Sequence, residues 1–195
     1  DGATHHGAFD MAALRPIPNL VISAPMDEME LRHLMYTAQL EGKGSFVIRY
    51  PRGRGSNIEW QCPFEEVPIG KGRKLRDGNS VAILSIGTTG VDVETAIDSL
   101  SEERPDISPA HYDMRFVKPI DEDILSEVAQ SFKHIVTVED GVRTGGFGTA
   151  VMEWLSEHGH SIPVTRLGLP DSFVEQGTVT QLKEIVGIDS ESIKR

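Results

Sequence analysis

The sequence predicts an α/β protein in which short buried strands alternate with amphipathic helices. One observation is a set of apolar runs rich in β-branched residues, such as residues 81–86. Another is a helical repeat of apolar positions, seen at Leu31, Leu34, Met35 and Ala38. Strands that alternate with helices require crossover connections. We therefore expect a mostly parallel sheet covered by helices.

The composition narrows the class of protein. A chain of 195 residues that is 38% hydrophobic can bury a core, and it holds one domain or one domain plus a piece. It lacks the run of about 18 apolar residues that a membrane helix needs, and its polar start does not resemble a signal peptide, so we expect a cytoplasmic protein. A net charge of -11 argues against nucleic-acid binding. The single cysteine, Cys62, has no His or Asp beside it in sequence and is predicted to be an inert thiol.

The first 55 residues are predicted to form a strand, a helix, a second strand and a loop. The strands are residues 19–23 and 45–49, and the helix between them covers residues 27–40. Acidic residues at the start of this helix suit the positive end of its dipole. The loop, residues 50–55, turns at a proline and two glycines.

A polar segment rich in Pro and Gly, residues 56–79, is predicted to be a linker with at most short strands. A second domain is then expected over residues 80–195. Its predicted strands are residues 81–86, 110–116, 134–138 and 164–167, each followed by a helix. Asp121 is expected to cap one of these helices.

The opening segment, residues 1–10, combines glycines with the adjacent imidazoles of His5 and His6. Glycines let a backbone approach a ligand, and imidazoles can move protons near neutral pH, so the segment suits an active-site loop. Composition alone favours the alternative, a surface loop with two solvated histidines. No third ligand stands at a familiar spacing, so we expect no metal site.

Three arginines, Arg49, Arg52 and Arg54, follow the second predicted strand. Guanidinium groups bind phosphate or carboxylate in a forked geometry, and ligands of α/β proteins favour the carboxyl ends of strands. The alternative is a structural turn whose arginines pair with local carboxylates.

The glycine-rich segment 139–148 does not fit a dinucleotide or phosphate-loop pattern, and it is predicted to be a structural turn. Asp113 and Arg115 are predicted to form a structural ion pair on one face of a strand.

Several of these segments together resemble a known family. Residues 1–10, 15–18, 24–28 and 49–53 resemble the later part of the pyrimidine-binding domain of the 1-deoxy-D-xylulose-5-phosphate synthases, and residues 113–121, 139–141, 168–171 and 176–177 resemble the carboxy-terminal domain that this family shares with transketolases. The fold implied is a partial pyrimidine-binding domain followed by a transketolase C-terminal domain.

The resemblance implies an activity for the complete enzyme. It would condense pyruvate with glyceraldehyde 3-phosphate, with loss of carbon dioxide, using thiamine diphosphate and magnesium, and it would be a homodimer that supplies isoprenoid, thiamine and pyridoxal synthesis. By the same resemblance, His5 faces the reactive centre, Arg52 binds the phosphate of the acceptor, and Asp1 contacts the acceptor.

The resemblance also implies what this chain does not supply. The family holds the cofactor diphosphate and magnesium through a Gly-Asp-Gly motif in a separate domain, and its activating carboxylate lies upstream of Asp1. We therefore expect a C-terminal fragment that binds no cofactor or metal and is inactive alone. The alternatives are a component of a two-chain transketolase or 2-oxoacid dehydrogenase, and a non-catalytic assembly domain.

Overall fold

A computed structural model describes residues 2–53, 55 and 59–195 of the chain. The strands in this part are β1 (Leu20–Ser23), β2 (Ser45–Ile48), β3 (Arg73–Arg76), β4 (Ala82–Ile86), β5 (Ala110–Asp113), β6 (Phe116–Lys118), β7 (Ile135–Val142) and β8 (Val164–Leu169). The α-helices are α1 (Asp10–Leu14), α2 (Glu28–Ala38), α3 (Thr89–Glu103), α4 (Glu122–Ser131), α5 (Phe147–Glu157), α6 (Val179–Val186) and α7 (Ser190–Lys194). A 3₁₀ turn covers Ala3–His5.

The larger sheet has the strand order β3-β5-β4-β7-β8. Its four strands β5, β4, β7 and β8 are parallel, and β3 lies antiparallel at one edge. Helices connect the parallel strands, because parallel neighbours need a crossover connection. The predicted α/β class with a mostly parallel sheet is therefore confirmed. The short edge strand β3 lies inside the segment predicted to be a linker.

The smaller sheet has the order β2-β1-β6 and contains a strand from the second part of the chain. Strands β1 and β2 are parallel, whereas β6 runs antiparallel to β1. The prediction of one strand over residues 110–116 is therefore wrong, because the chain leaves the larger sheet after β5 and enters the smaller sheet at β6. Arg115 lies between them with φ 56°. The carboxylate of Asp113 stabilises this turn by accepting the Arg115 N–H at 3.2 Å.

The predicted ion pair between Asp113 and Arg115 is replaced by two other pairs. Asp113 Oδ2 lies 3.0 Å from Nη2 of Arg73 in β3, and Arg115 Nε lies 2.5 Å from Oε1 of Glu30 in α2. The positive φ of Arg115 ends the strand, so the two side chains do not occupy alternate positions on one sheet face. Their role is nevertheless structural, because they join α2 to the larger sheet.

The main hydrophobic core contains residues from both parts of the chain. Met11, Ile22 and Ala24 pack in one cluster with Leu84 and Tyr112 of the larger sheet.

Asp27 and Asp121 cap the starts of α2 and α4 by accepting backbone N–H groups. The prediction that Asp121 caps a helix is therefore confirmed. Within the described residues, no helix has the length and apolar character needed to cross a membrane.

Candidate functional site

A cavity of about 430 Å³ lies between the opening loop, the segment after β2, and the carboxyl ends of β7 and β8. Small-molecule sites usually occupy cavities of roughly this size, and α/β sheets favour them at the carboxyl ends of strands. His5 and Arg52 both line this cavity, although 47 positions separate them in sequence. The fold therefore brings together the two described residues to which the family resemblance gives a role at the substrate.

The opening loop is fixed to the second part of the chain. The N–H of Val142, at the end of β7, donates to the carbonyl of Ala8 at 3.1 Å. Ala8 is buried in a small cluster with Leu169, Val174 and Ile188. His5, which is exposed, contacts its neighbour Thr4, with 2.9 Å between Nδ1 and Oγ1. The loop thus presents the imidazole of His5 at the cavity while its other side is anchored.

Arg49 joins two walls of the cavity through its guanidinium group. Its Nε lies 3.3 Å from Asp10, and its Nη1 lies 3.3 Å from Asp140 in β7. Arg49 is therefore engaged by local carboxylates, which is the structural alternative left open for this arginine cluster. The guanidinium of Arg52 lies three residues further on and is exposed at the cavity.

Lys183 of α6 lines the same cavity and forms an ion pair with Asp92 of α3, with 2.6 Å between Nζ and Oδ2. Burial raises the pKa of Asp92, and Lys183 opposes that shift. The cavity lining therefore carries three cationic side chains, those of Arg49, Arg52 and Lys183, together with three acidic ones. The acidic residues are Asp10, Asp140 and Glu175, and two of them pair with Arg49.

The glycine-rich segment forms a tight turn before α5. Two of its amide groups, Phe147 N–H and Gly148 N–H, each donate to the buried carboxylate of Glu139 at 2.8 Å. Burial raises the pKa of Glu139, and these two donors act in the opposite direction. A side chain at Gly146 would lie 2.2 Å from Oε2 of Glu139. These contacts support the interpretation of the segment as a structural turn.

The structure adds cavity residues for which the sequence carries no local signal. Val174 and Lys183 reach the cavity from distant elements, so only the tertiary fold places them beside His5. Asp1 and Arg54, also singled out from the sequence, lie outside the described residues. In the part of the chain that is described, no three His, Cys, Asp or Glu side chains converge where they could hold a metal ion.

Cys62 has a different environment from the one that its sequence neighbours indicate. Its Sγ lies 3.8 Å from Nε2 of His33 and 3.8 Å from Nη1 of Arg32, both in α2. Nδ1 of His33 accepts the N–H of Glu65 at 3.0 Å, so in the neutral ring Nε2 carries the proton and donates towards sulfur. His33 is therefore not placed as a base for this thiol.

The sequence matches two known protein-family models. The family described as "Transketolase, C-terminal domain" matches residues 70–193, which is more than half of the chain, and "Transketolase, pyrimidine binding domain" matches residues 1–56. The chain belongs to the transketolase family. In this transketolase-family chain, the cavity lies where residues of both matched regions meet.

Curated relatives show which transketolase-type enzymes this chain is similar to in sequence. A Bacteroides fragilis protein named 1-deoxy-D-xylulose-5-phosphate synthase is 57% identical over 99% of this chain, and a Cytophaga hutchinsonii protein of the same name is 57% identical over 100% of it. The resemblance to this synthase family is therefore confirmed. The chain spans about 30% of the length of these relatives.

Solved structures agree with the fold. A structure titled "Split gene transketolase, inactive beta4 tetramer" matches with a TM-score of 0.84 and 30% identity, over 99% of this chain and 61% of that chain. Transketolase from Leishmania mexicana matches with a TM-score of 0.70 and 20% identity, over 100% of this chain and 27% of that chain. The second likeness shows the fold alone.

Proposed function

We propose that this chain is a C-terminal portion of a 1-deoxy-D-xylulose-5-phosphate synthase, a thiamine-diphosphate-dependent transferase that condenses pyruvate with glyceraldehyde 3-phosphate and releases carbon dioxide. The observation that carries the proposal is the 57% identity to a synthase of this name over 99% of the chain. The shared cavity of His5 and Arg52 supports it, because it combines an imidazole with a guanidinium group.

Each of these two residues has a role in the proposed site. Arg52 binds the phosphate of the acceptor, since a guanidinium group recognises phosphate through charge-assisted hydrogen bonds. His5 donates a hydrogen bond to a substrate oxygen at the reacting centre, where charge develops. Asp1 contacts the acceptor by resemblance alone, because it lies outside the described residues.

The cofactor is assigned to the complete enzyme. When bound, thiamine diphosphate supplies the carbanion chemistry of the family. By the resemblance, the diphosphate and magnesium are held by a Gly-Asp-Gly motif in a separate domain, so no residue of this chain is given that role. We propose that the separate domain holds both groups, that the chain alone does not turn over substrate, and that the complete enzyme is a cytoplasmic homodimer.

The test measures synthase activity in the complete protein with phosphorylated and unphosphorylated glyceraldehyde. Arg52→Ala removes a charge-assisted bond of about 1.5–3 kcal/mol, so the KM for glyceraldehyde 3-phosphate should rise roughly 10- to 100-fold. The KM for glyceraldehyde should not change. Arg104→Ala is the matched control, because Arg104 lies at the exposed end of α3 and pairs with Asp106. An unchanged KM for the phosphorylated acceptor would refute the role of Arg52.

The second candidate is a component of a two-chain transketolase. The structure titled as a split-gene transketolase favours it, because that structure matches 99% of this chain. Adding a separately made cofactor-binding chain should then restore transketolase activity. Synthase activity from one continuous polypeptide, with pyruvate as donor, would instead favour the first proposal.

A further inference from the structure

His6 ties the opening loop to the second part of the chain through a backbone contact that spans 168 positions. Its Nε2 lies 3.0 Å from the carbonyl oxygen of Val174 and 3.2 Å from the amide nitrogen of the same residue. A protonated ring nitrogen donates to the carbonyl, and an unprotonated one accepts from the amide. A hydrogen bond to Val174 is therefore available in either neutral tautomer.

Two aromatic rings hold the imidazole of His6 in this position. Its centroid lies 5.8 Å from that of Phe9 in a stacked arrangement and 5.9 Å from that of Phe173 in an edge-on arrangement. Phe9 and Phe173 also contact each other edge-on at 6.4 Å. Such geometries are favourable between aromatic rings. The ring of His6 is thus held between a residue of the opening loop and a residue of the segment after β8.

The loop backbone before Ala8 gains a second anchor from His6, in addition to the bond between Val142 and Ala8. Gly2 has a φ of 76°, a conformation that glycine adopts readily, and a second glycine follows at Gly7. The contact of His5 with Thr4 lies within the loop and does not fix the loop to another element. Because His6 directly follows His5, its bond to Val174 sets where the His5 imidazole lies relative to the cavity wall.

We propose that His6 is a positioning residue that holds His5 at the cavity through Val174, an inference that rests on the proposed function of His5. His6 itself does not need to touch the substrate. A displacement of about 1 Å at a reacting group can lower a rate by about 100-fold. Loss of the bond to Val174 therefore acts on kcat through the placement of His5.

The experiment compares His6→Phe with His6→Gln in the complete synthase. Phenylalanine keeps an aromatic ring next to Phe9 and Phe173 but cannot bond to Val174. Glutamine can donate to the carbonyl and accept from the amide of Val174 through its own amide group. We expect His6→Phe to lower kcat about 10- to 100-fold with little change in the KM for glyceraldehyde 3-phosphate. His6→Gln should stay within about threefold of the wild type in kcat.

Hydrogen exchange at the Val174 amide tests the contact independently of activity. Exchange should be faster in His6→Phe and close to wild type in His6→Gln. His134→Phe is the matched control, because His134 contacts Thr165 at the opposite end of β7 and should change neither exchange at Val174 nor kcat. Exchange at Val138 in the core reports whether a variant remains folded.

The outcomes separate this inference from the proposed function. Normal kcat in His6→Phe, with faster exchange at Val174, would overturn the positioning role while leaving the synthase proposal intact. Unchanged exchange at Val174 together with a normal kcat in His6→Phe would overturn both the contact and the positioning role. No synthase turnover by the wild type would overturn both the proposed function and the role that rests on it. A low kcat that His6→Gln restores would support the inference.

Discussion

Oε1 of Glu30 lies 2.5 Å from Nε of Arg115, so a buried carboxylate in α2 is bonded to the turn between β5 and β6. Glu30 is only 2% exposed, and its Oε1 also lies 3.4 Å from Nη2 of Arg73 in β3. Asp113 completes a group of four alternating charges through its pair with Arg73. The group links α2 to the larger sheet at the point where the chain passes from β5 to β6.

Removing Arg115 should destabilise the chain substantially. Arg115→Met keeps most of the aliphatic stem but leaves the buried Glu30 without one cationic partner, which typically costs about 3–5 kcal/mol. Because Arg73 remains near Glu30, we expect about 3 kcal/mol. Urea unfolding measures the loss. The control Arg104→Met removes an exposed pair with Asp106 and should cost at most about 1 kcal/mol. Equal losses in the two variants would contradict the importance of the buried pair.

Ionisation of Asp113 should make the folded chain less stable as the pH rises. Burial, together with the nearby Glu30 carboxylate, raises the pKa of Asp113 to about 7. An unfolded aspartate titrates near 3.9, so between about pH 4 and 7 the folded state binds more protons than the unfolded state. The contribution of Asp113 is therefore present in full below about pH 4 and is lost as the pH rises through about 7.

Asp113→Asn tests this dependence because asparagine does not titrate. The free energy of unfolding, measured in urea between pH 4.5 and 7.5, should fall less with pH in the variant than in the wild type. His111 acts in the opposite direction, since burial lowers its pKa and protonation of the unfolded state disfavours folding at acid pH. The comparison of variant with wild type isolates Asp113. Identical slopes would contradict the prediction.

The order of elements was largely predictable because burial leaves a periodic pattern. The apolar repeat of α2 and the continuous apolar run of β4 each indicate their own element, and the cap at Asp121 marks the start of α4. These signals are local. They depend on which face of an element is buried and not on the identity of its neighbours.

The break between β5 and β6 was not predictable from such signals. Residues 110–116 contain no proline or glycine that would mark a turn, so the sequence indicates one strand. The turn depends on the left-handed conformation of Arg115 and on its pairing with Glu30, which lies 85 positions away. The same limit applies to the site. His5 stands in a segment that suggests chemistry, whereas the contact of His6 with Val174 exists only in the fold.

Thr37 should contribute to stability through its hydroxyl group and not through its shape. Its buried Oγ1 donates to the His33 carbonyl at 2.8 Å and accepts the Val67 N–H at 2.8 Å, which joins α2 to the segment before β3. Thr37→Val keeps the volume but leaves that buried N–H without a partner, at a cost of about 1–3 kcal/mol. Thr95→Val is the control, because its hydroxyl is exposed on α3. A loss below about 0.5 kcal/mol for Thr37→Val would contradict this role.

Glu139 should hold the glycine turn and α5 in place through both of its carboxylate oxygens. Oε2 accepts the N–H of Phe147 and Oε1 accepts the N–H of Gly148, each at 2.8 Å. Glu139→Gln replaces one acceptor with an NH₂ group, so one buried N–H faces a donor and loses its bond. We expect a loss of about 1–3 kcal/mol in urea unfolding. Glu191→Gln, an exposed site paired with Lys194, should cost less than about 1 kcal/mol. If both variants unfold at the same urea concentration, the turn does not depend on this carboxylate.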